Sequence, residues 1–193
     1  MCSSDLVPGL AHTVVHTLAA RGLTLSTAES CTGGMIAQQL TEVPGASDVF
    51  GYGFVTYWEQ AKARLLGVDP AVIERYNVVS GPVAAQMARG ARAASGSDLA
   101  VAVTGLAGPG GGDAVRPVGT VYIAGAAGTS VFVEKFHYVR PDRENTRARA
   151  AHAALELALR LAQGKAPAGC YRIDAAACSD PAALAALDGA LIL

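Results

Sequence analysis

The spacing of apolar residues predicts that the chain begins with a helix, a strand and a second helix. Residues 23–29 alternate between apolar and polar side chains, as strands do, and residues 34–43 carry apolar side chains at helical spacing. The segment before them shows helical spacing followed by a glycine stop, at Leu10, Val14, Leu18 and Gly22. The sequence TAESCTGG, residues 27–34, therefore lies at a strand-to-helix turn.

The middle of the chain has the patterns of further strands and helices. Residues 48–57 are rich in aromatic and β-branched side chains and predict a strand, and residues 59–68 predict a short helix. Residues 82–96 predict another helix. The compact apolar run at residues 98–105 is typical of a strand that is buried on both faces of a sheet.

The pattern beyond residue 117 predicts a β-hairpin and a long helix. Residues 118–125 and 129–138 form the two arms of the hairpin, which would make that part of the sheet antiparallel. A long helix begins at Asp142 and ends near Gly164. Its apolar stripe consists of Leu155, Leu159 and Ala162.

Strands alternating with helices over residues 1–163 predict an α/β fold, with one sheet between two layers of helices in a three-layer α/β/α sandwich. The length of 193 residues suits one such domain and is too short for two. Residues 164–193 are rich in alanine and interrupted by proline and glycine. We interpret them as an appended tail with one short helix.

Composition and charge exclude several classes of protein. A net charge of −1 and a pI near 6.4 leave no basic excess to bind a phosphate backbone, so we expect no nucleic-acid partner. The apolar stretches are shorter than the ~20 residues that cross a bilayer, so we expect no membrane partner. The first residues lack the basic segment and apolar core of a secretory signal, which predicts a cytoplasmic protein.

The cysteines form neither a CxxC pair nor a cluster with histidine at ligand spacing. In the expected compartment their thiols are reduced. We therefore predict no disulfide framework, no metal and no cofactor. The four residues are Cys2, Cys31, Cys170 and Cys178.

The turn TAESCTGG carries the first candidate chemistry. Ser30 lies at the carboxyl end of a strand, where α/β folds usually bind ligands. The N–H groups of Gly33 and Gly34 could stabilise an oxyanion or hold a phosphate. In the alternative interpretation, Ser30 or Thr32 only caps the helix, and Cys31 is a buried thiol without a role.

A serine nucleophile needs a base to accept its proton. Lys62 is a candidate, because it follows a strand end that carries Thr56 and Tyr57 and would act as a base if burial lowered its pKa. The alternative is an ordinary solvated lysine on a helix. The histidines lie in no local motif, at His12, His16, His137 and His152, and no GxSxG elbow is present.

Two further segments suggest phosphate binding. The glycine-rich loop at residues 104–112 could wrap a phosphate with its N–H groups, although it lacks a Walker A ending and is equally consistent with a long turn. Arg143 and Arg147 lie one helical turn apart and could bind a phosphate or carboxylate, whereas surface salt bridges are the commoner outcome. Arg140 and Arg149 flank them.

The ordered set of motifs is more specific than any one of them. Six motifs follow one another in the chain: TAESCTGG, GFVTY with a lysine and LLGV behind it, VVS, LAVAVTGLAGPGGG, RPVGTVYIA and DRENTR. In that order they closely resemble the C-terminal domain of the competence/damage-inducible protein CinA over about residues 5–163. The resemblance implies an α/β/α sandwich with a mixed, mainly parallel sheet, and a homodimer.

Members of that family include stand-alone nicotinamide-nucleotide amidohydrolases. The resemblance implies deamidation of nicotinamide mononucleotide to nicotinate mononucleotide and ammonia without a metal, with Ser30 as nucleophile and Lys62 as general base. Tyr57 and Thr104 would complete the polar network around the amide, and Arg147 would help position the pocket or bind phosphate. The positions implied to contact this pyridine nucleotide are Thr32, Gly33, Gly34, Gly105, Gly108, Gly110 and Gly111.

The chain departs from the family pattern at two places. Trp58 and Glu59 stand where the family often has Ser-Asn, and Pro141 stands where it often has glycine. These changes affect the wall of the pocket and hence the substrate range. They leave open a non-catalytic module of the same fold that binds a nucleotide or a partner, and an amidohydrolase for another amide.

Overall fold

The computed structural model describes residues 9–139, 142–165, 167 and 169–192. Cys2, Arg140 and Pro141 of the sequence analysis lie outside the described residues. Within these ranges the strands are β1 Leu25–Glu29, β2 Phe50–Val55, β3 Leu99–Gly105, β4 Thr120–Ala127, β5 Ser130–His137 and β6 Tyr171–Asp174. The α-helices are α1 Leu10–Arg21, α2 Met35–Thr41, α3 Glu59–Leu66, α4 Pro70–Tyr76, α5 Gly81–Ser95, α6 Arg143–Ala162 and α7 Pro181–Ile192.

The strands form one six-stranded sheet in the order β2-β1-β3-β4-β5-β6. The strand β1 pairs in parallel with β2 and β3. The pairs β3–β4, β4–β5 and β5–β6 are antiparallel. A mixed sheet is confirmed, but the expectation that it is mainly parallel is wrong. The pairing of β3 with β4, the predicted hairpin of β4 and β5, and the pairing of β5 with the added strand β6 make three of the five pairings antiparallel.

Helices cover both faces of the sheet and confirm the three layers. On one face α1, α2 and α6 enclose a core that includes Leu18, Ile36 and Leu155, all fully buried. On the other face α3, α4, α5 and α7 enclose a second core around Val83 and Met87. The sheet itself supplies the continuous apolar strand β3, whose first six residues are all buried.

A close contact between α5 and the end of α3 fixes the position of α3 on the sheet. A Cβ atom on Gly90 of α5 would lie 1.9 Å from the carbonyl oxygen of Leu66, so only glycine fits there. The helix α3 then ends one residue later at Gly67, which has the left-handed φ of 65° that favours glycine. This contact holds the helix that carries Lys62.

The segment after α6 packs on the domain. The strand β6 pairs with β5, and α7 lies against α5 with Leu184 and Leu187 buried. The Gln86 side chain donates from Nε2 to the carbonyl oxygen of Cys178 at 2.8 Å. The sequence pattern predicted one helix in this segment but not the strand.

One helix was not expected from the sequence, and one expected helix ends close to its predicted position. The helix α4 was not predicted; it begins with Pro70 at its first turn and is capped by Asp69, whose Oδ1 accepts from the N–H of Ala71 at 2.9 Å. The predicted long helix is confirmed and ends at Ala162, close to the expected Gly164. None of the helices in the described ranges combines the length and apolar character needed to cross a membrane.

Candidate active site

Three neighbouring strands bring polar side chains to one edge of the sheet. The strands β2, β1 and β3 are parallel, so their carboxyl ends meet at this edge. Ser30 follows β1, Tyr57 lies two residues beyond β2, and Thr104 is the penultimate residue of β3. The edge therefore assembles residues that are far apart in the sequence.

Lys62 of α3 contacts Ser30 at this edge. Its Nζ atom lies 3.0 Å from Ser30 Oγ and also donates to the carbonyl oxygen of Thr56 at 2.7 Å. The carbonyl oxygen of Tyr57 is a third, longer contact at 3.5 Å. The nitrogen of the amine can make three hydrogen bonds. Two are directed at the backbone carbonyls, so the third is directed at the serine hydroxyl.

Burial changes the acid–base properties of this lysine. The side chain of Lys62 has no solvent exposure, and this desolvation lowers its pKa from 10.5 to about 8. The negative charge of Glu59 acts in the opposite direction and raises the pKa. With a pKa of about 8, about a tenth of the lysine is neutral at pH 7 and about half at pH 8, and the neutral amine is the form that a general base requires. The alternative of a solvated helical lysine is wrong.

A cavity of about 450 Å³ opens beside the Ser30–Lys62 pair, and we call it the catalytic cavity. Thr104 faces it as a buried side chain and donates to the carbonyl oxygen of Val78 at 2.9 Å. Tyr57 and Trp58 form an exposed part of its wall. The remaining lining includes Cys31, Glu59, Gln60, Val79, Gly105 and Leu106. The structure thus brings together Ser30, Lys62, Tyr57, Thr104 and Gly105.

The start of α2 is capped by Glu29, the last residue of β1. Its buried carboxylate accepts hydrogen bonds from the N–H groups of Gly34, Ile36 and Ala37 at 2.9–3.1 Å. The helix has no side-chain cap at its N-cap residue Gly34. Capping by Ser30 is therefore wrong, because Glu29 occupies the helix end and leaves the Ser30 hydroxyl for Lys62.

The glycines of this turn are used within the protein. The N–H of Gly33 donates to the carbonyl oxygen of Ser30 at 3.1 Å, and that of Gly34 donates to Glu29. The Thr32 hydroxyl is buried without a hydrogen-bond partner among the described residues, so Thr32 is not a cap either. The structure gives Gly33 and Gly34 a role in shaping the turn.

Arg147 of α6 holds the same turn from the other side. Its Nε donates to the carbonyl oxygen of Cys31 at 2.9 Å, and its Nη2 donates to that of Thr32 at 2.8 Å. The side chain is not among those that line the catalytic cavity. Arg147 is therefore placed to position the residues that follow Ser30.

The glycine-rich loop leaves the catalytic cavity after Leu106. The carbonyl oxygen of Gly108 accepts from Arg143 Nη1 at 2.9 Å, and Arg143 Nη2 donates to the Tyr57 hydroxyl at 3.2 Å. Gly110 and Gly111 are exposed and do not line the cavity. The loop is thus linked to the site through Arg143 rather than through its own N–H groups.

Other candidate groups lie elsewhere or are inactive in this environment. The four histidines lie on α1, β5 and α6, and none of them lines the catalytic cavity. Burial raises the pKa of the Cys31 thiol to about 11, which keeps it protonated. Across the described ranges, no three or more His, Cys, Asp or Glu side chains are grouped as a metal site would need.

Sequence reasoning missed two residues of this site. Glu29 is the more informative, since a carboxylate at a strand end, five residues before the first glycine N–H that it binds, is a capping signal across a turn. Arg143 was considered only as an anion ligand, whereas it links Tyr57 to the glycine-rich loop. Both contacts depend on the turn geometry, which no local pattern specifies.

The fold and the site define an α/β/α protein with a buried Ser–Lys pair at the carboxyl edge of its sheet. Residues 8–162 match the CinA C-terminal domain, and the chain belongs to this family. A CinA-like protein of Chlorobaculum tepidum is 50% identical over 150 residues, which cover 76% of this chain and 36% of that relative. A CinA-like protein of Akkermansia muciniphila is 51% identical over 143 residues, 74% of this chain and 34% of the relative. The chain spans about a third of the length of these curated relatives.

Solved structures show the same fold. The competence/damage inducible protein CihA from Agrobacterium tumefaciens is 43% identical and superposes with a TM-score of 0.77 over 82% of this chain and 99% of that one. A competence-damaged protein (CinA) superfamily protein from Escherichia coli is 37% identical, with a TM-score of 0.77 over 83% of this chain and 93% of the other. These matches confirm the resemblance inferred from the ordered motifs.

Proposed function

We propose that the chain is an amidohydrolase that converts nicotinamide mononucleotide to nicotinate mononucleotide and ammonia through a Ser–Lys mechanism. The observation that carries the proposal is the 3.0 Å contact between Lys62 Nζ and Ser30 Oγ, with the lysine fully buried. Membership of the CinA family, in which such amidohydrolases occur, supports the choice of substrate. No cofactor or metal takes part in the proposed steps.

The first step forms an ester on Ser30. The neutral Lys62 amine accepts the Ser30 hydroxyl proton while Oγ attacks the carboxamide carbon. The carbonyl π electrons move to oxygen and give a tetrahedral oxyanion. Its collapse breaks the C–N bond, and the Lys62 ammonium gives its proton to the departing nitrogen, which leaves as ammonia.

The second step releases the acid. Water replaces ammonia at the ester, Lys62 accepts one of its protons, and the hydroxide attacks the ester carbon. The ester C–O bond breaks, and the Lys62 proton returns to Ser30 Oγ. The new carboxyl group still carries the second proton of the water; it gives this proton to solvent, and nicotinate leaves as a carboxylate. Serine and lysine regain their starting states, so the cycle is closed.

The oxyanion needs hydrogen-bond donors beside Ser30. The N–H groups of Cys31 and Thr32 directly follow the serine, and no carbonyl or carboxylate oxygen in the described ranges accepts from them. In a trans peptide the C=O and N–H point in opposite directions, so Arg147, by holding the Cys31 carbonyl, turns the Thr32 N–H away from itself. We assign the oxyanion to the N–H of Cys31, which lines the catalytic cavity, and a positioning role to Arg147.

The test is ammonia release from nicotinamide mononucleotide by the purified chain. Ser30→Ala and Lys62→Met should each lower kcat by at least about 10³-fold, since the nucleophile and base act as a unit. Methionine keeps the volume and removes only the amine. Ser47→Ala and Lys165→Met, two exposed positions outside the catalytic cavity, serve as matched controls and should retain activity.

Full activity of either Ser30→Ala or Lys62→Met would reject the Ser–Lys mechanism. Calorimetry with the same nucleotide tests the alternative raised by the sequence, a non-catalytic binding module. Saturable binding to the unaltered chain without ammonia release would favour a non-catalytic binding module. Ammonia release from other small amides, but not from this nucleotide, would assign a different amide as substrate.

A further inference from the structure

A second cavity of about 580 Å³ adjoins the catalytic cavity. Both are lined by Glu59, Gln60 and Val78, so these three residues form a shared wall. Beyond the wall, two arginines, Arg75 and Arg116, line the second cavity. We call it the arginine cavity. Each of the two cavities has a size typical of sites for small molecules, about 300–1,000 Å³.

The two phosphate positions expected from the sequence are already used by the protein. The N–H groups at the start of α2 bind the Glu29 carboxylate, which leaves no positive helix end for a second anion. Arg147 donates to two carbonyls of the nucleophile turn and does not line the catalytic cavity. A phosphate attached to a substrate in the catalytic cavity therefore needs another cationic partner.

Arg116 has unused hydrogen-bonding capacity at the arginine cavity. Its Nη1 donates to the carbonyl oxygen of Tyr76 at 3.2 Å, and its Nη2 lies 3.3 Å from Asp113 Oδ2. Its Nε is buried and has no partner among the described residues. The side chain keeps 20% of its surface exposed, and its two Nη contacts are longer than the ~2.7–2.9 Å of a good charge-assisted hydrogen bond, so a phosphate oxygen in the cavity could bind the Nη groups more closely.

Arg75 adds a second positive charge, and the carboxylates are placed unevenly around it. Glu59 and Glu74 both line the arginine cavity, and of the two only Glu59 also lines the catalytic cavity. The pyridinium ring of the proposed substrate is positive and its phosphate is negative. A negative wall at Glu59 followed by two arginines therefore matches the order of charges along such a nucleotide.

We propose that the arginine cavity binds the phosphate of the substrate through Arg116 and Arg75, while the reacting amide lies in the catalytic cavity. This inference rests on the proposed function for the identity of the amide. What it adds is the position of the phosphate, in a cavity separate from the one that holds the Ser30–Lys62 pair.

The experiment compares nicotinamide mononucleotide with nicotinamide riboside, which differs only by the phosphate. Arg116→Gln and Arg75→Gln should each lower kcat/KM for the mononucleotide by about 10- to 100-fold, as the loss of a charge-assisted hydrogen bond implies, and leave that for the riboside unchanged. Arg116→Lys should recover part of the loss. Arg64→Gln, on the exposed side of α3, is the matched control and should leave both values unchanged.

Arg143→Gln tests the rival cation, since Arg143 contacts Tyr57 at the catalytic cavity. A loss specific to the mononucleotide in this variant, with none in Arg116→Gln and Arg75→Gln, would overturn the proposal. If Arg116→Gln and Arg75→Gln lower kcat/KM equally for the mononucleotide and the riboside, the proposal is also overturned. Circular dichroism of each variant shows whether it is folded.

Binding measurements distinguish failure of this inference from failure of the proposed function. If the unaltered chain releases no ammonia, the proposed hydrolysis fails, and calorimetry with both ligands still tests the cavity. Tighter binding of the mononucleotide than of the riboside, lost in Arg116→Gln, supports the phosphate site. Equal affinity for the two ligands overturns it.

Discussion

Lys62 illustrates at the scale of one residue how burial produces reactivity. Lowering its pKa from 10.5 to about 8 corresponds to a cost of about 3 kcal/mol in the free energy of unfolding when the group is charged. Because the folded-state pKa is depressed, this cost is complete below pH 8 and disappears as the pH rises toward 10.5. The fold tolerates it because Thr56 and Tyr57 offer carbonyls to the amine.

The same shift predicts the pH dependence of the reaction. Since only neutral Lys62 can act as base, kcat/KM should fall about tenfold per pH unit below about pH 8. Glu59→Gln removes the charge that raises the pKa of Lys62. The pH below which kcat/KM falls, the acid limb of the profile, should therefore move to a lower value. The displacement should be a fraction of a pH unit, because an exposed carboxylate is screened by water.

Glu42→Gln is the control for that profile, because Glu42 is exposed at the end of α2 and does not line the catalytic cavity. A limb that stays in place in Glu59→Gln, or moves to higher pH, would show that Lys62 is not the titrating group.

Sequence alone could select Ser30 and Lys62 only through the ordered motifs. Local chemistry favoured a cap for the serine and solvent for the lysine, since both are the common fates of such residues. What local chemistry lacks is the environment: the carbonyls of Thr56 and Tyr57, and the competing carboxylate of Glu29, lie in other segments. The partners of Arg147 were unpredictable for the same reason.

At the scale of elements, the turn between β1 and α2 is held from both sides. Glu29 binds the N–H groups of the helix start, and Arg147 binds the carbonyls of the turn. This arrangement fixes the backbone around Ser30 before any substrate arrives. Fixed donors and a fixed nucleophile need no rearrangement during the reaction, which favours catalysis.

The capping role of Glu29 can be separated from the chemical role of Ser30 by stability measurements. Glu29→Ala leaves one buried and two partly buried N–H groups without their acceptor and should lower the free energy of unfolding by about 3 kcal/mol. Ser30→Ala should change it by less than about 1 kcal/mol, because the helix start is already satisfied. Urea unfolding followed by circular dichroism gives both values. An equal loss in the two variants would restore the capping interpretation of Ser30.

The strands and long helices were predictable because their apolar periodicity is local. The helix α4 and the strand β6 were not: β6 has only four residues and exists where β5 offers an open edge. The direction of the pairings was predictable at the hairpin, where a two-residue turn requires antiparallel strands. The expected parallel majority did not allow for the antiparallel pairing of the hairpin with β3 or for the added strand β6.

At the scale of the whole molecule, the segment after α6 completes the domain away from the catalytic cavity. The family match ends at residue 162, and the aligned part of the Agrobacterium structure covers 82% of this chain. The added strand and helix close the β5 edge and cover part of α5. The catalytic cavity lies at the ends of β1, β2 and β3, where none of this segment lines it.

Removing residues 165–193 should therefore affect stability and association more than activity. The shortened chain loses the buried Leu184 and Leu187 and exposes the edge of β5, so its Tm should fall by at least about 5 °C. Light scattering should show self-association that increases with concentration, while kcat per folded chain stays within about twofold. An unchanged Tm would show that the segment contributes nothing to the domain, and Leu187→Ala provides a milder test of the same contact.

The separation of the Glu29 cap from the Ser30 nucleophile has an evolutionary consequence. Since the helix start does not depend on the serine, a lineage can lose the nucleophile by one substitution without losing the fold. Selection for catalysis and selection for folding then act on adjacent but different codons. Under the proposed mechanism, a descendant that keeps the fold and the cavity but has lost the nucleophile is one mutational step away.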